Sequence, residues 1–343
     1  MPATPDERKT LLGAGAAAGM AATFGSPISA VLLAVELLLF EYRARSFVPV
    51  ALAAAAATAV RLALVGPAPA FPMTDLLPAG PSALVLCAVV GAAAGALSAP
   101  VTQALFKVED LFAKVPIHWA LWPALGGVAV GLIGLVAPRT LGVGYDNITD
   151  ILSGRIVGWA VVLLCLAKFV SWAIALGSGT SGGTLAPLFT VGGGFGAAVG
   201  LGLAHLFPGA DLDPRMAALV GMAALFTGAS RAMLTSIVFA VEATRQPWGI
   251  LPLLAGCAVA YIVSSQLMVT NIMTDRMTRR GSKVPTGLGT DPLDQMLVAD
   301  SCSKDPLTLP ADMPLAEARA WLRGGAEGSG RKAYPVLDGD GRI

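Results

Sequence analysis

Between residues 27 and 268 the chain is a series of apolar runs with few polar residues between them. The runs are Pro27–Phe40, Phe47–Val65, Ser82–Phe106, Trp119–Ala137, Val157–Leu176, Gly183–Phe207, Met216–Phe226, Met233–Val241 and Gly249–Met268. A straight helix needs about 20 apolar residues to cross a bilayer, and several of these runs are shorter. A soluble core could bury short runs, but here they neighbour full-length spans. Incomplete spans are stable at membrane depth only where protein or water covers their backbone. The pattern therefore predicts tilted, broken or re-entrant helices whose ends meet inside a membrane protein. The 40 glycines and 24 prolines point the same way, because broken helices place their ends at an ion or solute site.

Charge divides the chain in two. Only 13% of residues are charged against 55% hydrophobic, where a soluble domain carries about 25% charged. Twenty-six charges are spread over the first 275 residues, and 19 crowd the last 68. The opening MPATPDERKT is polar, and the stretch after it lacks the cleavage pattern of a signal peptide. A net charge of +1 excludes a strongly basic nucleic-acid footprint. Cys87, Cys165, Cys257 and Cys302 show no paired spacing, and His118 and His205 lie far apart without acidic neighbours. A disulfide framework, a zinc site or another metal centre is not expected. The apolar region offers no nucleophile–base pair, so an enzyme is not expected either.

The sequence echoes itself. Gly19–Phe24 reads GMAATF and precedes Ala34-Val35-Glu36, while Gly221–Phe226 reads GMAALF and precedes Ala240-Val241-Glu242. The second copy is four residues longer between its two blocks. A duplicated block in a polytopic chain predicts a structural repeat, and such repeats are often inverted in transporters. Arg276, Arg279, Arg280 and Lys283 follow the last run and predict a cytoplasmic tail. Arg43 and Arg45 would share that side, and Arg245 would face the other.

The stretch Gly177-Ser178-Gly179-Thr180-Ser181-Gly182-Gly183-Thr184-Leu185-Ala186-Pro187 ends one apolar run and opens another. Gly182 and Gly183 permit close approach of a ligand, and Pro187 fits a first helical turn. The amides of Thr184 and Leu185 would then be unpaired donors at a helix start, with the dipole behind them. Such donors attract an anion without a full charge and release it readily, as conduction requires. A phosphate-gripping loop is the rival reading, but no GxxxxGK[ST] is present. A glycine-rich corner between packed helices is the plain alternative.

GSGTSGGTLAPLFTVGGGFGAAVG resembles the second-half anion-filter segment of the CLC chloride channels and chloride/proton antiporters. Three further blocks match in the family's order. Gly13–Glu36 resembles a helix pair leading to the dimer interface. Leu141–Ile148, LGVGYDNI, resembles a loop of bacterial members. Gly228–Thr244 resembles the repeat-related interface helix. The resemblance covers about residues 6 to 281. It implies an all-α polytopic membrane fold: an inverted-repeat helical bundle with broken helices, seated in the lipid bilayer as a homodimer on the surfaces Pro27–Phe40 and Met233–Leu254. It implies chloride as the transported ion, no cofactor, and an anion site at Gly182, Gly183, Thr184 and Leu185.

The departures are specific. The family's GSGxP turn and its GxEGP turn, with the gating glutamate, should precede the Gly13 block, where only twelve residues stand. The chain is thus expected to be a fragment or the product of a truncated gene. The resemblance places Glu36 at the first position of a Glu-Glu pair, Leu37 at the proton-carrying second, and Met273 at the filter tyrosine. Leucine carries no proton and methionine donates no hydrogen bond. Glu36 and Glu41 are the ionisable candidates for any remaining proton path, a helix-end role being the alternative for Glu36.

The expected domains are a transmembrane region over 1–275, a linker over 276–295 and a partial domain over 296–343. In the last, a strand, the helix Pro314–Leu322 and a strand at Tyr334–Leu337 look like the start of a CBS domain; the family's nucleotide-contacting turn should come later, so no nucleotide site is assignable. The expected function is anion transport through a CLC-type pathway, channel-like or weakly proton-coupled. The alternative is a non-conducting membrane subunit that only dimerises.

Overall fold

The computed structural model describes residues 4–73, 75–279, 302, 306–323 and 334–339. The chain divides into two units, residues 1–289 and 290–343. Most of the expected linker, with Arg280 and Lys283, lies outside the described residues.

Every regular element among the described residues of the first unit is a helix. In chain order it contains α1 (Pro5–Phe24), α2 (Pro27–Leu33, continued by a π-helical turn over Ala34–Leu39), α3 (Ala44–Leu64), α4 (Pro81–Ala113), α5 (Trp122–Val136), α6 (Tyr145–Leu152), α7 (Trp159–Gly177), α8 (Leu185–Leu206), α9 (Pro214–Ser230), α10 (Met233–Thr244), α11 (Ile250–Leu267) and α12 (Asp275–Arg279). Among the described residues, six segments are long and apolar enough to cross a membrane: Ala44–Leu64, Pro81–Ala113, Trp119–Val136, Trp159–Gly177, Leu185–Leu206 and Pro247–Leu267. α2 and α10 are the shorter apolar helices.

α9 is the hub. Every residue from Met216 to Ser230 is buried, as befits a helix that is apolar all round. It packs on α8 backbone to backbone. A Cβ on Gly221 would lie 2.5 Å from the Cα of Gly196, so only glycine permits this crossing. α4 meets α11 in the same way, and a Cβ on Gly91 would stand 2.1 Å from the Gly256 carbonyl oxygen. Small residues that let backbones approach are how helices associate in lipid, where apolar burial alone drives little.

The echoed blocks fold alike. α1 ends at Gly25, φ 65°, and α9 ends at Arg231, φ 62°, both left-handed caps. The four extra residues, Thr227–Ser230, add one turn to α9 before its cap. From each cap to the Ala-Val-Glu block the spacing is then identical, nine residues. α2 ends at Phe40 and α10 at Arg245, again both left-handed. The Phe40 N–H donates to Val35 O at 3.0 Å, five residues back, whereas the Arg245 N–H donates to Val241 O at 2.8 Å, four back. A single inserted residue in the first copy accounts for the π turn.

The two copies also cap each other. The Glu36 carboxylate accepts the N–H groups of Leu234 (3.3 Å) and Thr235 (2.9 Å) and the Thr235 hydroxyl (2.6 Å). The Glu242 carboxylate accepts the N–H groups of Ile28 (3.1 Å) and Ser29 (2.9 Å). Each glutamate thus satisfies the second and third amides of the other copy's helix and places negative charge at its positive end.

α4 has 33 residues, about 50 Å of helix against a hydrocarbon core of about 30 Å. Its last turns meet α12. Glu109 pairs with Arg276 at 3.1 Å and Asp110 with Arg279 at 3.0 Å. The Arg279 guanidinium also lies 4.9 Å over the Phe106 ring.

In the second unit, two strands, β1 (Leu309–Pro310) and β2 (Val336–Leu337), pair in parallel with Leu309 opposite Val336. The helix α13 (Leu315–Arg323) lies between them in sequence. Trp321 and Tyr334 make an edge-on ring contact at 5.4 Å.

Candidate anion site

α7 stops at Gly177. The Ser178 N–H donates to Ile174 O at 2.9 Å, its hydroxyl donates to Ala175 O at 2.7 Å, and the Thr180 hydroxyl donates to the same carbonyl. Gly179 then takes φ +85° and turns the chain away. The exposed turn through Gly182 and Gly183 is held by the Trp172 indole, whose N–H donates to Gly183 O at 3.2 Å.

α8 begins after Thr184, which already has helical angles, φ −96° and ψ −21°, so its side chain makes no cap. Pro187 removes one of the four amides that a helix start leaves unpaired. Three remain, on Thr184, Leu185 and Ala186, and none donates to an acceptor among the described residues. The first turn carries no acidic residue, so the positive end of a 22-residue helix is uncompensated.

This helix start opens on a cavity of about 590 Å³, with Gly183, Leu185, Ala186 and Pro187 in its wall. Gly182 and Thr184 do not line it. Of the expected pair, Leu185 belongs to the wall and Thr184 does not; Ala186, the next residue, does. Opposite stand Gly19, Met20, Thr23 and Phe24 of α1. The first echoed block is therefore a cavity wall, while its twin, Gly221–Phe226, is wholly buried in α9.

Lys168 of α7 completes the electrostatics. It is 3% exposed, and its ammonium donates to Thr140 O at 2.9 Å and Gly142 O at 2.8 Å. No carboxylate pairs with it among the described residues. A buried cation held only by carbonyls leaves net positive charge beside the cavity. The signal for this residue was present in the sequence, as the lone charge inside the apolar run Val157–Leu176, where an ionisable group is a functional candidate by default.

The segment that presents those carbonyls corrects an expectation. Only Leu141–Gly144 of LGVGYDNI is loop, and Tyr145–Leu152 forms α6. Gly144, at φ +87°, starts the helix, and Ile148, Ile151 and Leu152 bury its inner face.

Glu36 and Glu41 are not in the cavity wall. Glu36 is engaged at the start of α10. Glu41 accepts the Ser46 hydroxyl at 2.5 Å and lies 3.6 Å from the Arg43 guanidinium. Leu37 and Met273 pack, half-buried, against the core and do not line the cavity either. The described residues contain no cluster of three metal-ligating side chains.

The family model described as voltage gated chloride channel matches residues 1–265. The H(+)/Cl(-) exchange transporter ClcA of Vibrio parahaemolyticus is 30% identical over 292 residues, covering 80% of this chain and 62% of that protein. ClcA of Klebsiella pneumoniae is 30% identical over 272 residues, covering 77% and 57%. The chain thus spans about six tenths of the length of these curated relatives. Among solved structures, that of a slow cyanobacterial Cl−/H+ antiporter superposes with a TM-score of 0.73 at 26% identity, covering 81% of this chain and 66% of that one. A eukaryotic CLC transporter shares the fold, with a TM-score of 0.65 at 22% identity.

Proposed function

The chain belongs to the voltage gated chloride channel family, and on that premise we propose that it carries chloride across a membrane through the cavity at the start of α8. One observation carries this reading: the uncapped α8 start, with Leu185 and Ala186 in the wall of a cavity of about 590 Å³ that also takes in buried Lys168, paired with no carboxylate among the described residues. Amide donors at a positive helix end hold an anion without the tight grip of direct ion pairing, so the ion can leave again.

Transport is channel-like or weakly proton-coupled. A proton path needs an ionisable group free to exchange protons. Glu36 caps α10 and Glu41 is tied to Ser46 and Arg43, while Leu37 and Met273 have no proton to give. In liposomes holding a chloride gradient, the protein should move chloride without driving protons uphill. Proton pumping at a fixed proton-to-chloride ratio would refute the uncoupled reading. Absence of chloride flux would refute the transport reading itself.

The assembly proposed is a homodimer in the cell membrane. Its contact surface is the outer face of α2, α10 and α11, where Ile28, Leu38, Leu234, Leu251 and Leu254 are exposed. The Arg276 and Arg279 cluster after the last span favours a cytoplasmic tail. The strand–helix–strand of that tail supports its reading as the start of a CBS domain.

A further inference from the structure

The same cavity has a polar wall that the α8 amides do not explain. Lys168 and Ser171 are three residues apart on α7, so they share a face, and both line the cavity with Tyr145 of α6. Two of the three ammonium protons of Lys168 go to Thr140 O and Gly142 O, leaving the third unassigned. Ser171 is 3% exposed. Neither its hydroxyl nor that of Tyr145 has a hydrogen-bond partner among the described residues. Both belong to residues that line the cavity, so each hydroxyl keeps a proton to donate to whatever occupies it.

Tyr145 is held firmly. Its ring meets those of Phe24 at 5.4 Å and Phe71 at 5.8 Å, both edge-on. Burial pushes its phenol above the ordinary range, so it remains an O–H donor at neutral pH. An ammonium and two hydroxyls can all donate to one ion, and no carboxylate stands among the lining residues. The charge of the ammonium makes that ion an anion.

Resting on the reading of the cavity as an anion pathway, we propose that Lys168, Ser171 and Tyr145 form a second, side-chain subsite for a small monovalent anion, separate from the amides of Leu185 and Ala186. This subsite supplies hydroxyl donors from α6 and α7, where the sequence has methionine at the position expected to provide a tyrosine hydroxyl.

Bromide is the probe, because its anomalous scattering locates each ion. Crystals of the full-length protein grown in bromide should show two peaks, one at the start of α8 and one within hydrogen-bond reach of Ser171 Oγ and the Tyr145 hydroxyl. The double variant Ser171→Ala, Tyr145→Phe removes two oxygen atoms and leaves Lys168 and its loop intact. It should lose the second peak, keep the first, and weaken chloride affinity at the second site at least tenfold. Lys168→Arg should keep both peaks, and Lys168→Met should lose the second. A single peak at α8 in the wild type overturns the subsite while sparing the transport reading, and no peak at either place overturns both. A second peak that survives in the double variant overturns the assignment to these hydroxyls.

Discussion

At Leu185 the backbone, not the side chain, is the proposed anion ligand. Leu185 stands at the first helical position and lines the cavity, so the amide is what a substitution can remove. Leu185→Pro deletes that donor, and a first helical position is where proline is tolerated. A hydrogen bond to a charged group contributes about 1.5–3 kcal/mol, so titration calorimetry should show chloride affinity about ten- to a hundredfold weaker. Leu185→Val keeps its N–H and should hold affinity within a few-fold. Unchanged affinity in Leu185→Pro, with the fold intact by circular dichroism, would place the anion elsewhere. The glycine-rich turn and its helix start were legible in the sequence, because glycine, threonine and proline carry their backbone preferences wherever they stand. That Leu185 and Ala186 line the cavity while Thr184 does not was not legible, since it depends on which wall α8 faces.

At the scale of elements, the two Glu caps and the glycine crossings make separable predictions. Glu36→Ala leaves the second and third amides of α10 unpaired, and loss of such a cap costs about 0.5–2 kcal/mol. Glu36→Gln keeps an acceptor oxygen and should recover part of it. The same holds for Glu242 and α2. Because both caps serve one helix pair, the double variant should not be additive. Thermal unfolding in one detergent, read as midpoint shifts, measures all five variants, and an unshifted Glu36→Ala would mean the cap contributes nothing. Gly91→Ala would set a Cβ 2.1 Å from a backbone oxygen, and overpacking of this kind costs about 1–3 kcal/mol or more. Gly127→Ala, on α5 with nothing within 4 Å, should instead be neutral or stabilise by up to about 1 kcal/mol. If both glycine variants melt alike, the close crossing of α4 and α11 is not what sets stability. The start of α1 is fixed by a local signal outside the apolar runs: Thr4 and Glu7 form a capping box, and the Thr4 N–H and hydroxyl hold the Glu7 carboxyl below the usual carboxylate range.

At the scale of the whole molecule, the outer faces of α2, α10 and α11 leave large apolar side chains uncovered by this chain, Leu251 being 58% exposed. In the proposed dimer a second copy covers them. Crosslinking of detergent-purified protein should trap a dimer, and Leu251→Lys should shift it toward monomer. A wild-type monomer at every concentration would refute the assembly.

The sequence by itself determined the membrane class, the positions of the spans and the existence of the repeat, because hydrophobicity, glycine spacing and a duplicated block are local properties of a chain. It also marked the four-residue difference between the copies, which the fold spends as one turn of α9. The tertiary structure alone decided that Gly19–Phe24 lines a cavity while its twin is buried, and that Glu36 and Glu242 exchange caps across about 200 residues of chain. It also decided that Lys168 turns its ammonium to the carbonyls of Thr140 and Gly142. Each of these depends on which helices cross and at what distance, and identical local sequences leave that open until the backbones have packed.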